Sequence, residues 1–456
     1  MVPSLSSLRR LYALLRAESG VAVPTVLVVV MIGLGMAAAA GTAAISAQRG
    51  SVRDEDSKRA LAAADAGALR ALYRQNRLLT TASLPCVVVG AQSGTLELAA
   101  ADAGGWCAEQ AGTIGDATYG YWVSAPVLTA GTGVQQRSEV EMVSMATSDD
   151  VSRRISLTSS ALTGAGLLSG ASVMGLDGVS LNSNAEVNGN VATNGDIVMN
   201  SNATLCGNAQ YGVGQGLLLS SNAHQCPGYG QAEGEISLPA VEQGDVPTTN
   251  SNGRFFTQDI KQGNGVTWNA TTRSLSLNSN SALTLGGTDY SFCKLELNSN
   301  STLYIAQGAR VRIFFDAPEN CIDPSDGQPY TESDEPVTQF IMNSNTKITN
   351  TSGDPTSAAF LMVGSETIST IAQLNSNSHV NIDLILYAPL TDLILDSNST
   401  FRGALAGKSV SVNSNATIES DNRVSDFEVP IRTIFEAGRY VECAGGGPGT
   451  TPDSGC

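Results

Sequence analysis

Reactive side chains are scarce in this chain. Its two histidines, His224 and His379, each stand in or beside an asparagine-rich corner sequence, where facing solvent is the simpler role. No Ser-His-Asp order, phosphate loop or zinc-ligand spacing occurs, and GAGLLSG at Gly164 lacks the strand, helix and acidic residue of a nucleotide site. The best grouping of carboxylates with a cation is Asp383, Asp392, Asp396 and Lys408. Such residues cleave polysaccharides on elongated β surfaces, but their spacing here is not that of one position on adjacent coils, so solvated surface charge is the preferred reading. No catalytic residue is expected, and the chain is not expected to be an enzyme.

The most acidic stretch, DAPENCIDPSDGQPYTESDEP from Asp316 to Pro336, puts seven carboxylates around Cys321. Asp323 and Asp326 before Gly327 hint at a calcium loop, yet the alternating ligands and terminal glutamate are missing. A tethered acidic loop is the expectation, with calcium as the one cofactor to test. Formal net charge is −17, from 25 basic and 42 acidic residues, which argues against nucleic acid because a phosphate backbone must be met by clustered cations.

Eight cysteines, Cys86, Cys107, Cys206, Cys226, Cys293, Cys321, Cys443 and Cys456, fall into four consecutive pairs 13 to 28 residues apart. None forms a CxxC or Cys/His cluster, so four local disulfides in an oxidising compartment are expected. The start of the chain agrees. No charged side chain occurs from Ser19 through Gln48, and Val21 to Ile45 is long enough to cross a bilayer as a helix at ~1.5 Å per residue. Arg9, Arg10 and Arg16 precede it, which keeps the leader cytoplasmic and puts the rest outside. A cleaved secretory signal, ending near Ala43 to Ala47, is the alternative. Against it, helix-forming sequence continues through Ser51 to Leu79, with Leu61, Ala64, Ala68, Leu72 and Leu79 near a 3.6-residue period.

The basic leader, the ESG at Glu18 to Gly20, and QRGSVRDEDSKRALAAADAG from Gln48 to Gly67 resemble the N-terminal region of type IV pilins, in particular PilX-like minor pilins. The resemblance covers roughly the first 80 residues. It implies cleavage by a prepilin peptidase after Gly20, leaving Val21 as the first mature residue, and a helix that bundles with neighbouring pilins. Thr25 stands where the family has a glutamate, which favours a minor or initiating subunit over an abundant one.

Beyond residue 170 one pattern recurs: an aliphatic residue, NSN or a close variant, a small residue, a spacer and an apolar residue. It starts at Leu181, Met199, Leu277, Leu297, Met342, Leu374, Leu395 and Val412, with variants at Leu219 and Thr249 making ten copies. The tightest intervals, 17 to 21 residues, fit one coil of a parallel β-helix and are too short for a two-helix repeat. Asparagine tolerates left-handed backbone, so N-S-N suits a corner between short strands. Stacked copies would align Asn182, Asn200, Asn278, Asn298, Asn343, Asn375 and Asn413 into an amide ladder, with the flanking aliphatics inside. Low aromatic content, 5%, fits a thin interior of Val, Ile, Leu and Ala.

The segment Leu384 to Asp421 resembles a repeat domain of unknown function that often follows PilX-like leaders, through its YAP segment, SNSTFRGAL and AGKSVSV. That family brings no catalytic residues.

The expected organisation is a cytoplasmic leader at 1–20, a transmembrane and amphipathic helix at 21–79, a small β-rich linking domain at 80–165, an Asn-rich right-handed parallel β-solenoid at 166–430, and a Gly-rich tail at 431–456. The expected fold class is mainly β after one long helix. The expected role is a minor pilin-like, single-pass surface protein of the bacterial envelope, working in pilus assembly or attachment. Its partners would be the membrane, other pilins, the assembly machinery and surface polysaccharide, but not nucleic acid. A self-associating bactofilin-like scaffold and a β-helix polysaccharide-active enzyme are the alternatives.

Overall fold

The computed structural model describes residues 22–77, 86–89, 96–130, 135–257, 265–332, 335–375, 381–396 and 398–443. Gly20, Val21, His379 and Cys456 lie outside these residues. The fold is mainly β with one long apolar-to-amphipathic helix at its start.

That helix runs Ala22–Gln75, 54 residues, about 80 Å at the rise of an α-helix. Its two halves differ because their residues do. The large apolar side chains between Val26 and Met36 are exposed, and among the described residues none of this stretch is buried. Further on, Ala60, Ala63, Ala64, Ala68 and Ala71 form a buried stripe of small residues. The stripe is narrower and smaller than the expected one: Leu61 and Leu72 sit at its margin. Small residues allow close approach, and a side chain at Gly67 would collide with Ser144 and Tyr119.

The helix packs on an antiparallel sheet of Gln110–Ile114, Ala117–Val123, Val127–Ala130, Gln136–Ser148, Val151–Leu162 and Glu436–Cys443. The expected Gly-rich tail therefore divides: Glu436–Cys443 is a strand paired with Val151–Leu162. Asn76 fixes both ends of this arrangement, donating from Nδ2 to the Phe435 carbonyl (3.0 Å) and accepting from the Phe435 N–H at Oδ1 (2.7 Å).

From Val173 on, a repeat runs through three strand positions, as in Val191–Thr193, Ile197–Met199 and Thr204–Leu205, and a longer strand such as Val173–Leu181 covers two of them. Strands of one repeat pair in parallel with their counterparts in another, with Leu181 opposite Met199 and Val187 opposite Leu205. Alternate residues point inward, so Leu181, Val187, Met199, Leu205, Leu277 and Leu297 are fully buried. Aromatic residues also enter this core at one end, as Phe255, Trp268, Tyr290, Phe292, Phe315, Phe340 and Phe360 form a chain of ring contacts. The overall scarcity of aromatics hid their local concentration.

Repeats do not stack in chain order. By register, the strand ending at Leu219 lies on that ending at Met199, then Leu181, Val412, Leu395, Leu374, Met342, Leu297 and Leu277. The chain thus starts in the middle of the stack and builds outward to Leu219. It then crosses to the far end and builds back until Val412 meets Leu181. The crossing segment lays Ile236, Leu238, Val241 and Val246 over an outer face that includes Met174, Ala359, Ile385 and Tyr387.

Candidate functional surface

The corners are built from the asparagines. In LNSNAEV the Ala185 N–H closes a turn on the Asn182 carbonyl (2.8 Å), and Asn184 adopts φ 57°. Asn202, Asn222, Asn280, Asn300, Asn345, Asn398 and Asn415 take the same left-handed conformation, which an asparagine adopts more readily than a β-branched or bulky residue. The Thr249 copy behaves differently. Asn250 caps a short 3₁₀ turn, and Asn252 bonds the backbone of Ser291, because this stretch belongs to the crossing segment and has no parallel neighbour.

Among the seven first-position asparagines, Asn200 Nδ2 donates to Asn182 Oδ1 (2.7 Å), and Asn182 Nδ2 to Asn413 Oδ1 (2.7 Å). Asn413 Nδ2 then donates to Asp396 Oδ1 (2.8 Å), and Gln373 Nε2 meets the other oxygen of Asp396 (2.6 Å). Further along, Asn343 Nδ2 donates to Asn298 Oδ1 (3.0 Å). Asn278 and Asn375 bond their neighbours through backbone N–H groups, to Gly265 and Met342.

The charged residues singled out from sequence do not converge. Asp383 pairs with Arg402 (2.9 Å), Asp392 accepts from Ser409 (2.6 Å), and Asp396 belongs to the amide row. In the acidic stretch, Asp316 pairs with Arg273 (2.9 Å), while Asp323 and Asp326 accept from backbone N–H groups two residues on. Among the described residues, no three His, Cys, Asp or Glu side chains gather as a metal site would need. Tyr330 beside this loop has its phenol pushed up to about 12, first by burial and then by Asp323 and Asp326.

Disulfides join Cys86 to Cys107, Cys206 to Cys226 and Cys293 to Cys321, as their spacing led us to expect. Cys443 is disulfide-bonded as well.

Sequence reasoning did not identify the clefts. One, about 980 Å³, is lined by Asp289, Arg312, Phe314, Asp354 and Arg423 among others. Two of its three arginines are matched: Arg312 Nε sits 2.6 Å from Asp289 Oδ1, and Arg423 Nη2 2.5 Å from Asp421. The hydrogen bond from Arg423 holds the Asp421 carboxyl below its ordinary range. A second cleft, about 640 Å³, opens where the helix leaves the sheet and is lined by Ile45, Arg49, Val52, Arg53, Asp149 and Asp150. In the first cleft Thr356 Oγ1 donates to Asp354 Oδ1 (2.8 Å).

A family model described as a domain of unknown function (DUF7305) matches residues 220–427. No curated protein matches the chain. Among solved structures, the chain is similar to the competence-associated pilin ComZ from Thermus thermophilus, at 10% identity, 85% of this chain, 97% of that one and a TM-score of 0.25. It is also similar to an ice-binding protein from the Antarctic ascomycete Antarctomyces psychrotrophicus, at 15% identity, 56% of this chain, 97% of that one and a TM-score of 0.27. Scores this low carry no argument about function.

Proposed function

We propose that this chain is a minor pilin-like surface subunit. Its apolar half-helix inserts in the cytoplasmic membrane or a pilus helix bundle, and its β domain is displayed outside for pilus assembly or attachment. The observation that carries this reading is the division of the single helix Ala22–Gln75. The apolar window is wholly exposed in the isolated chain, while the continuation packs on the sheet through Ala60 to Ala71. Exposed Val, Leu, Ile and Met in such a run need lipid or other helices around them. Orientation rests on the basic leader and the disulfides, which call for an oxidising compartment.

In this reading a prepilin peptidase cuts after Gly20 and leaves Val21 first, and Thr25 in place of the family's glutamate makes the subunit a minor one. The parallel-paired repeats are the three faces of a right-handed β-solenoid, the hand that parallel crossovers take almost without exception. The amide row along one corner is its ladder. The subunit is not an enzyme, and surface polysaccharide is the ligand class its attachment role would involve. A self-stacking scaffold is the weaker reading, because the antiparallel hairpin of Val266–Asn269 on Ser274–Leu277 closes one end of the stack against parallel addition.

Mass spectrometry of the mature protein tests the proposal. A first residue at Val21 is expected; an intact leader, or a start near Ala47, would falsify the pilin reading.

A further inference from the structure

The two ends of the repeat stack are built differently. At one, the Val266–Asn269 hairpin, with Trp268 and Phe255 packed together (4.9 Å), covers the core. At the other, Leu217–Leu219, His224–Gln225 and Gln231–Glu233 each pair with the preceding repeat, and no further strand lies beyond them among the described residues. Leu219 is in register with Met199 and Leu181, both 0% exposed, yet is itself 50% exposed. Leu219 is therefore an inward-facing core residue with no coil above it. Val213 and Leu218, close to it in sequence, are exposed as well. Repeat stacks need a polar terminal cap to stay soluble, and edges are ordinarily guarded by charge, especially Lys. On this end's outermost strands there is no Lys or Arg, and the one formal charge is Glu233, at the margin away from Leu219.

The surrounding charge says what could cover it. Between Arg154 and Arg254 there is no Lys or Arg, whereas Glu233 and Glu235 are exposed on the terminal strand and just after it, with Asp196 and Glu186 in the repeats behind. A second copy of the same end would bring two acidic rims together. A segment with apolar residues at its centre and cations at its flanks would meet the leucines with the first and the glutamates with the second.

We propose that this open end is a strand-addition site, which takes from a partner protein an extended apolar segment flanked by Lys or Arg as the next rung of the stack. Alternation along parallel strands sets the hydrogen bonding. The Ser220 N–H bonds back to Met199 (2.8 Å), so the Leu219 N–H faces outward to the added strand. The Cys206–Cys226 disulfide ties the terminal repeat to its neighbour, so the edge is ordered before the partner arrives and little ordering entropy remains to be lost. The site does not depend on what the helix does.

The test uses the full chain in detergent micelles and three labelled synthetic peptides of alternating valine and threonine: lysine-flanked, glutamate-flanked, and lysine-flanked with a central proline. Fluorescence anisotropy should show the lysine-flanked peptide binding at least about tenfold more tightly than either control. Leu219→Pro, which removes the outward N–H but no backward bond, should abolish that binding. Glu233→Lys combined with Glu235→Lys should reverse the charge preference while leaving the edge intact. Absence of binding by the lysine-flanked peptide, or equal binding of the lysine- and glutamate-flanked peptides, overturns the proposal. So does a dimer of the full chain that Leu219→Pro dissociates, since the occupant is then a second copy.

Discussion

Asp396 occupies the place that asparagine holds in most other copies of the repeat, and its chemistry explains the direction of the amide row. The side chains of Asn200, Asn182 and Asn413 all donate toward it, and Gln373 donates from the opposite side. A carboxylate accepts at both oxygens, so two donors can converge on it, and bonds to a charged acceptor are the stronger kind. Asp396→Asn puts an NH₂ against one of those donors and forces either a lost bond or a flip that propagates through Asn413, Asn182 and Asn200. The expected cost is about 1–2 kcal/mol, read as a lower denaturation midpoint with unchanged slope. How much of this was legible depends on the residue. The left-handed asparagines were readable because the preference is local to one residue. The role of Asp396 was not, because it depends on which repeats become neighbours, and Asn413 reaches Asn182 across 231 positions of chain.

At the scale of elements, the helix and the short strands follow from apolar runs and period-two alternation, signals carried within a dozen residues. The crossing segment, residues 234–257, carries no such signal, since its apolar residues are irregularly spaced and its partners belong to several distant strands. Tyr387 anchors it, donating its hydroxyl to the Pro239 carbonyl (2.5 Å) from the middle of Asn381–Leu395. Burial raises the Tyr387 phenol well above its ordinary value, and Tyr330 is pushed up to about 12. A pKa raised on folding means that the native state holds its proton more tightly. Stability is therefore full below the unfolded value near 10 and falls as pH rises through the folded values. Alkaline loss should begin at about pH 10 and be steep by about pH 12. Tyr387→Phe should cost about 1 kcal/mol at neutral pH, from the lost bond, and make the alkaline decline shallower. Denaturant midpoints at about pH 8 and about pH 11 check both signs; an unchanged decline in the variant would remove Tyr387 from the explanation.

For the molecule as a whole, the stacking order matters more than the repeat itself. A solenoid stacked in chain order frays from its termini, because each repeat touches only its sequence neighbours. Here the first repeat is sandwiched: Val173–Leu181 has Val191–Thr193 and Ile197–Met199 on one side and the C-terminal Thr400–Val412 on the other. The chain then returns to the helix through Glu436–Cys443 and Asn76, so the segments before and after the repeats are tied into one sheet-and-helix unit. The least supported repeat is the one around Leu217–Leu219, in the interior of the chain but at the edge of the stack. Local opening follows missing neighbours rather than distance from a terminus. In hydrogen exchange followed by mass spectrometry, peptides covering 217–233 should therefore exchange first among the repeats, and those covering 173–181 and 404–412 last. Deleting residues 400–420 should abolish protection at 173–181, although more than 200 residues separate the two segments in sequence. Loss of protection confined to the repeats next to the deletion in chain order would mean that the stack is sequential and that the register joining Val412 to Leu181 is wrong. The closure also has a kinetic cost, because this pairing can form only after the crossing segment and the returning repeats are in place. Refolding should be slow for that reason, with protection at 173–181 appearing together with protection at 404–412.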